Sequence, residues 1–111
     1  MDTAKLENSA INGNRANAHL VGLLFLIGED GVHQNITKAL KFLNLAVDAG
    51  CGDSAYALGL VYASDSDVSQ DFKTSIKYFK KALEFGKHEA QLDLNRLEPL
   101  VSLNDRLDSM Q

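Results

Sequence analysis

Apolar residues recur along the chain with the spacing of a helix. Between residues 36 and 47 they stand at i, i+3, i+4, i+7, i+10 and i+11, and the same spacing returns between residues 72 and 83. Asn35 and Asp71 precede these stripes, where their side chains can accept from first-turn N–H groups. Gly50 and Gly86 follow the stripes, where a left-handed residue ends a helix. The pattern predicts two amphipathic helices with matching start and stop signals.

A further pair of similar segments shows that these two helices belong to a sequence repeat. Residues 18–25, AHLVGLLF, align with residues 55–62, AYALGLVY, and the two predicted helices align at nearly the same offset. Each unit therefore predicts two antiparallel helices, of which the first is apolar on almost all sides. Gly22 and Gly59 lie in the middle of these first helices, where glycine costs about 1 kcal/mol relative to alanine. We expect the partner helix to approach closely at both glycines.

Weaker matches extend the repeat in both directions. Pro99 is expected to break the helical pattern, and the apolar stripe after it (Leu100, Leu103, Leu107 and Met110) predicts a separate helix over the open end of the stack. The predicted fold is all-α, an α/α solenoid of stacked antiparallel helix pairs with a C-terminal capping helix. We divide the single repeat domain into a half repeat (1–14), two repeats (15–51 and 52–87), a half repeat (88–98) and the capping helix (99–111).

The order of residues within each unit resembles that of a known repeat family. In the second unit the matching residues are Ser54, Leu58, Gly59, Tyr62, Val68, Gln70, Asp71, Ser75, Ala82 and Gly86. Together with the first unit they resemble the Sel-one-like repeat, an α/α repeat related to the tetratricopeptide repeat, over residues 16–95. Asp65 and Asp67 depart from that pattern because they replace the usual loop glycines. The resemblance implies a superhelix like that of tetratricopeptide repeats and a role in binding other proteins.

Composition excludes several other classes of protein. The 111 residues carry 11 Lys and Arg against 15 Asp and Glu, so an acidic chain of net charge −4 has no clustered positive charge for nucleic acid. Cys51 is the single cysteine and cannot form an internal disulfide. The longest apolar stretch, Leu20–Ile27, is too short to cross a membrane, and the N-terminus lacks the apolar core of a signal peptide. We predict a cytoplasmic protein that binds neither nucleic acid nor membrane.

The sequence contains no set of residues with the spacing of a catalytic or metal-binding site. The loop with Asp65 and Asp67 lacks the glycine and distal glutamate of a calcium loop, and the three histidines lie on different predicted elements. Cys51 has no positioned base in the sequence beside it. The basic face of Lys73, Lys77, Lys80 and Lys81 is interpreted as the solvated back of a helix, with docking of an acidic partner as the alternative. We predict no enzyme activity, no metal and no cofactor.

The resemblance implies that positions around the mid-helix glycines line a concave face. These partner-binding candidates are His19, Leu23, Leu26, Tyr56, Leu60, Ala63, Leu92 and Arg96. Two interpretations stand: the leucines belong to the core, or they form an apolar groove edged by the polar members. The predicted function is a protein-interaction module, an adaptor or scaffold that binds a protein or peptide on this face. The alternative is a dedicated inhibitor, immunity protein or chaperone for one partner, and the open stack ends are candidate surfaces for homo-oligomers.

Overall fold

Six helices build the structure, a computed structural model that describes residues 3–110. They are α1 (Ala4–Ile11), α2 (Arg15–Ile27), α3 (Ile36–Asp48), α4 (Gly52–Ala63), α5 (Phe72–Glu84) and α6 (Ala90–Ser109). No strand occurs within the described range. The predicted all-α fold and the repeated helix pairs are confirmed.

The predicted helix ends have the expected geometry in both repeats. Asn35 accepts a hydrogen bond from the backbone N–H of Lys38, and Asp71 accepts one from the backbone N–H of Thr74. Gly50 and Gly86 adopt left-handed conformations, with φ of 90° and 93°. Local sequence therefore fixes where α3 and α5 begin and where each of their closing turns ends.

The loops within the two helix pairs are closed by the same hydrogen bonds. The side-chain amide of Gln34 donates to the carbonyl of Leu26, and that of Gln70 donates to the carbonyl of Ala63, both at 2.9 Å. The second loop keeps this closure although it lacks the usual glycines. Asp65 contributes to it, because its carboxylate accepts from the backbone N–H of Gln70 at 3.1 Å.

Successive helices pack against each other along an elongated molecule of 53 × 27 × 19 Å. One apolar cluster lies among α1, α2 and α3, and a second cluster extends from α3 through α4 and α5 to α6. Phe42 is fully buried in the first cluster and Phe79 in the second. The core is thus a row of apolar side chains that follows the stacking direction, as in a solenoid.

The two mid-helix glycines lie where the partner helix approaches closely, as predicted. A Cβ atom at Gly22 would be 2.6 Å from Cγ of Leu43, and a Cβ atom at Gly59 would be 2.6 Å from the ring of Phe79. The buried hydroxyl of Ser75 also donates to the carbonyl of Gly59 at 2.6 Å. Side chains of α3 and α5 therefore occupy the space that any larger residue would need.

The predicted helix break at Pro99 is wrong. Residues 90–109 form one continuous helix with Pro99 inside it. Pro99 removes one N–H donor, which leaves the carbonyl of Asn95 without its usual partner in the helix. Both residues are exposed, so water can satisfy that carbonyl and the helix continues. The last helix within residues 3–110 is therefore a single long one that includes both the third half repeat and the segment after Pro99.

Candidate partner-binding surface

Side-chain hydrogen bonds join the first helices of neighbouring repeats. Nδ1 of His19 on α2 lies 2.6 Å from the hydroxyl of Ser54 on α4. The hydroxyl of Tyr56 on α4 donates to the carboxylate of Asp93 on α6 at 2.7 Å. The helices α2, α4 and α6 thus form one row, and their exposed residues form a common surface.

A buried carboxylate organises the end of this surface between α4 and α6. Asp93 is 5% exposed and accepts hydrogen bonds from Tyr56 and from the guanidinium of Arg96. The hydrogen bond to the carboxylate raises the pKa of Tyr56, so the phenol stays protonated and remains the donor. Two partners from two helices therefore satisfy a charge that would be costly to bury alone.

A shallow open pocket of about 540 Å³ lies beside this cluster. Its lining consists of Tyr56, Glu89, Leu92, Asp93, Asn95 and Arg96. The ring of Tyr56 and the side chain of Leu92 supply apolar area, while Glu89 and Arg96 place one charge of each sign at the rim. Such a mixture of an aromatic residue, a leucine and an arginine is suited to holding an apolar side chain of a partner and hydrogen bonding to its neighbours.

A second polar cluster borders the pocket at the start of α4. Lys87 pairs with Asp53 at 2.8 Å and with Glu89 at 3.2 Å, and its ammonium lies 5.7 Å from the ring centre of Tyr56. The hydrogen bond between Lys87 and Asp53 raises the pKa of the lysine and lowers that of the aspartate. These exposed pairs contribute little to stability, and they place charges of both signs beside Tyr56.

The predicted site residues separate into two groups. Leu23, Leu26 and Ala63 are half-buried and pack against the second apolar cluster. The half-buried His19 faces Ser54, so these four residues contact neighbouring helices. The placement of His19, Leu26 and Ala63 favours the core interpretation, whereas Leu23 also lines a separate pocket of about 240 Å³ on α2.

Of the remaining four predicted residues, Leu60, Leu92 and Arg96 lie on the exposed surface of α4 and α6, whereas Tyr56 is half-buried against the second cluster. Leu60 and Leu92 are 46% and 71% exposed, and the side chain of Arg96 is 73% exposed. The pocket brings Tyr56, Leu92 and Arg96 together. For this smaller set, the groove interpretation remains a prediction that the geometry favours.

Sequence reasoning missed Asp93, Glu89 and Lys87. One signal was available for Asp93, because it interrupts the run of apolar positions that faces inward on α6. A charged residue at an inward position requires a partner. Glu89 and Lys87 precede α6 with no periodic pattern that could have assigned them to the surface around Tyr56.

The remaining potentially reactive side chains, those of Cys51, Ser54 and His19, have structural roles. Cys51 is half-buried, and its sulfur accepts from the backbone N–H of Ser54 at the start of α4. Ser54 is fully buried, so its contact with His19 offers no accessible nucleophile. Among residues 3–110, no three His, Cys, Asp or Glu side chains are grouped so that they could hold a metal ion. Within the same range, no helix has the length and apolarity needed to cross a membrane.

Comparisons with known proteins agree with the architecture. The profile of the Sel1 repeat matches residues 18–51 and 52–84. The fold is similar to the crystal structure of a Sel1 repeat protein from Oxalobacter formigenes, with a TM-score of 0.72 and 28% sequence identity over 83% of this chain and 68% of that chain. No curated protein matches the chain.

Proposed function

Because this chain belongs to the Sel1 repeat family, whose repeats generally serve as protein–protein interaction modules, we propose that it binds a partner protein through the exposed surface of α4 and α6. The role is that of an adaptor or scaffold, since the surface is built for contact and not for bond chemistry. The pocket between Tyr56, Leu92 and Arg96 is the observation that carries this proposal.

The residues of the pocket indicate what kind of contact it makes. Leu92 is 71% exposed, so it contributes little to the core and its apolar area is available to a partner. Tyr56 is anchored through Asp93, and its ring packs 5.4 Å from the ring of Phe79. A pre-oriented aromatic ring costs less entropy on binding than a mobile one. The pocket is therefore suited to an apolar side chain presented by a peptide segment or a protein loop.

Leu60 extends the contact surface along α4. It lies one turn after Tyr56 on the same helix and is 46% exposed. A partner that places one side chain against Tyr56 and Leu92 can cover Leu60 with the next part of its chain. Interfaces of this kind draw most of their free energy from a few central aromatic and arginine residues.

Variants on opposite faces test the proposal. The wild-type protein is immobilised to capture and identify partners from its native source, and affinities for the purified partner are then measured by calorimetry. The variant Leu60→Glu with Leu92→Glu introduces charge into the contact surface and is expected to weaken binding at least about tenfold, or 1.4 kcal/mol. The matched control, Lys77→Glu with Lys80→Glu on the exposed face of α5, is expected to change affinity less than about threefold.

Tyr56→Phe adds a second readout at the same site. This variant keeps the aromatic ring and removes the hydroxyl that donates to Asp93. It therefore distinguishes the contribution of the ring's contact with the partner from that of the hydrogen bond that orients the ring. Far-ultraviolet circular dichroism confirms that each variant retains its helices. Full affinity of the leucine double variant, together with lost affinity of the lysine double variant, would place the binding surface on α5 and overturn the proposal.

A further inference from the structure

Charge is divided unevenly between the two helices of the second repeat. Residues 52–71, which form α4 and the loop after it, contain four aspartates and no lysine or arginine. The helix α5 that follows contains four lysines and one glutamate. Of these lysines, Lys73, Lys77 and Lys80 are exposed. The segment that includes α4 is therefore negative, whereas the exposed face of α5 is positive.

The rim of the pocket between α4 and α6 has one negative charge in excess. Arg96 pairs with Asp93, so these two charges cancel. Among the described residues, Lys87 is the cation that pairs with Asp53, at 2.8 Å, and also with Glu89, at 3.2 Å. One ammonium group cannot neutralise two carboxylates. Glu89 lines the pocket and its side chain is 62% exposed, so it is the carboxylate that a bound partner can reach.

We propose that the segment of the partner in this pocket carries a lysine or arginine next to its apolar side chain, and that this cation pairs with Glu89. The surface concerned is the one assigned above to α4 and α6, so the inference rests on the proposed function. An apolar side chain packed on Tyr56 and Leu92 would shield the new ion pair from water. The attraction between opposite charges grows as the surrounding dielectric constant falls.

The charges beyond the pocket favour the same kind of partner. Asp65 and Asp67 are exposed in the loop after α4, a helix of 12 residues that is about 18 Å long. Carboxylates therefore lie near both ends of the helix that carries Tyr56 and Leu60. The lysines of α5 repel a basic segment, so the charges favour docking on α4 and α6 over docking on α5.

Selection from a random peptide library tests the chemistry of the segment without a captured protein. Peptides that bind the wild type are kept only if they fail to bind Leu60→Asn with Leu92→Asn, a variant that removes apolar contact without adding charge. We expect lysine and arginine next to the apolar residues of these peptides to be at least about threefold more frequent than in the starting library.

Fluorescence anisotropy then measures the affinity of a selected peptide. Raising the salt concentration from about 50 to about 500 mM should weaken its binding at least about tenfold, because salt screens the attraction. Glu89→Lys should also weaken binding at least about tenfold. The matched control is Glu84→Lys, which makes the same change of charge at an exposed position of α5 and should alter affinity less than about threefold. Circular dichroism confirms that the variants keep their helices.

The outcomes separate this inference from the proposed function. Peptides that depend on Leu60 and Leu92 but lack basic residues, or bind equally well at high salt and to Glu89→Lys, would overturn the inference and leave the proposed surface in place. An equal loss of affinity in Glu84→Lys would refute the pairing with Glu89. If no selected peptide depends on the two leucines, the proposed function and the inference fail together.

Discussion

Replacing Gly59 with alanine tests the close approach of α4 and α5 directly. The added Cβ would lie 2.6 Å from two ring carbons of Phe79, whereas carbon atoms in contact are normally about 3.5–4.0 Å apart. The ring must therefore move by about 1 Å. Phe79 is fully buried, and Tyr56 packs beside it, so the shift has to spread to neighbouring side chains.

Two opposing effects determine how much Gly59→Ala changes the free energy of unfolding. Alanine is favoured over glycine inside a helix by about 1 kcal/mol, and overpacking a buried contact costs about 1–3 kcal/mol. We expect the free energy of unfolding to fall by about 1 kcal/mol, which lowers the melting temperature by roughly 5 °C in a domain of this size. Gly59→Leu should be worse, because the whole side chain would have to fit against Phe79.

Thermal and denaturant unfolding, followed by far-ultraviolet circular dichroism, measures the effect. Asn95→Ala is the matched control, since Asn95 occupies the position of the glycine in the third unit and is exposed. It should leave stability nearly unchanged, and Ser64→Leu in the exposed loop is the control for Gly59→Leu. In the Phe79→Leu background, Gly59→Ala should no longer destabilise and should stabilise by up to about 1 kcal/mol, because the overpacking cost is removed together with the ring and the helix preference for alanine remains.

A Gly59→Ala variant as stable as the wild type or more so would show that α4 and α5 are not in tight contact at this position. A cost of the same size in the Phe79→Leu background would equally show that the ring contact is not its cause.

Two further predictions concern a helix start and an acid response. Asn35→Ala should lower the free energy of unfolding by about 1 kcal/mol in denaturant titrations, because the first turn of α3 loses its cap, while Thr37→Ala on the same exposed turn should not. Burial lowers the pKa of His19, although Asp53 opposes and Lys87 reinforces the shift. The unfolded chain therefore takes up the proton first, and stability that is fully present above about pH 6.5 is lost progressively as the pH falls below that value. His19→Gln should flatten the melting temperature in that range, and an unchanged slope would contradict this assignment.

The local structure of the chain was predictable because each feature depends on a few adjacent residues. Asn35 and Gly50 delimit α3 by satisfying backbone groups at its ends, and Asp71 and Gly86 do the same for α5. The close contact at Gly59 was predictable for a related reason, since a glycine in a helix indicates a steric requirement when it recurs at the same place in two repeats.

The continuity of α6 was not predictable from local pattern. Proline weakens a helix by a known amount, but whether the helix ends depends on what its neighbours contribute. Leu97 and Ala90 anchor α6 in the second cluster on one side of Pro99, and the Lys73–Asp105 pair contacts it on the other. These tertiary contacts arise from residues distant in sequence, which periodicity alone does not reveal.

The candidate site was only partly predictable from the sequence. In a stack of so few repeats, the same face of a first helix can either pack against a neighbouring helix or remain exposed for a partner. The positions that the family resemblance assigns to the concave face also turn toward the next first helix. On α2 that neighbour is present, so His19 contacts Ser54 and the leucines after it are half-buried. On α6, the equivalent positions Leu92 and Arg96 have no further repeat beside them within residues 3–110 and remain exposed.

The third unit is represented by α6 alone within residues 3–110, which accounts for the apolar area exposed on that helix. Within the described residues, α6 has no second helix of its own unit and no following first helix. Its inward side is satisfied by the second cluster and by the bond from Tyr56 to Asp93. Its remaining sides expose Leu92 beside the pocket and the leucine stripe beyond Pro99. Leu92 and the leucine stripe are therefore the apolar area on α6 that the other described helices leave uncovered.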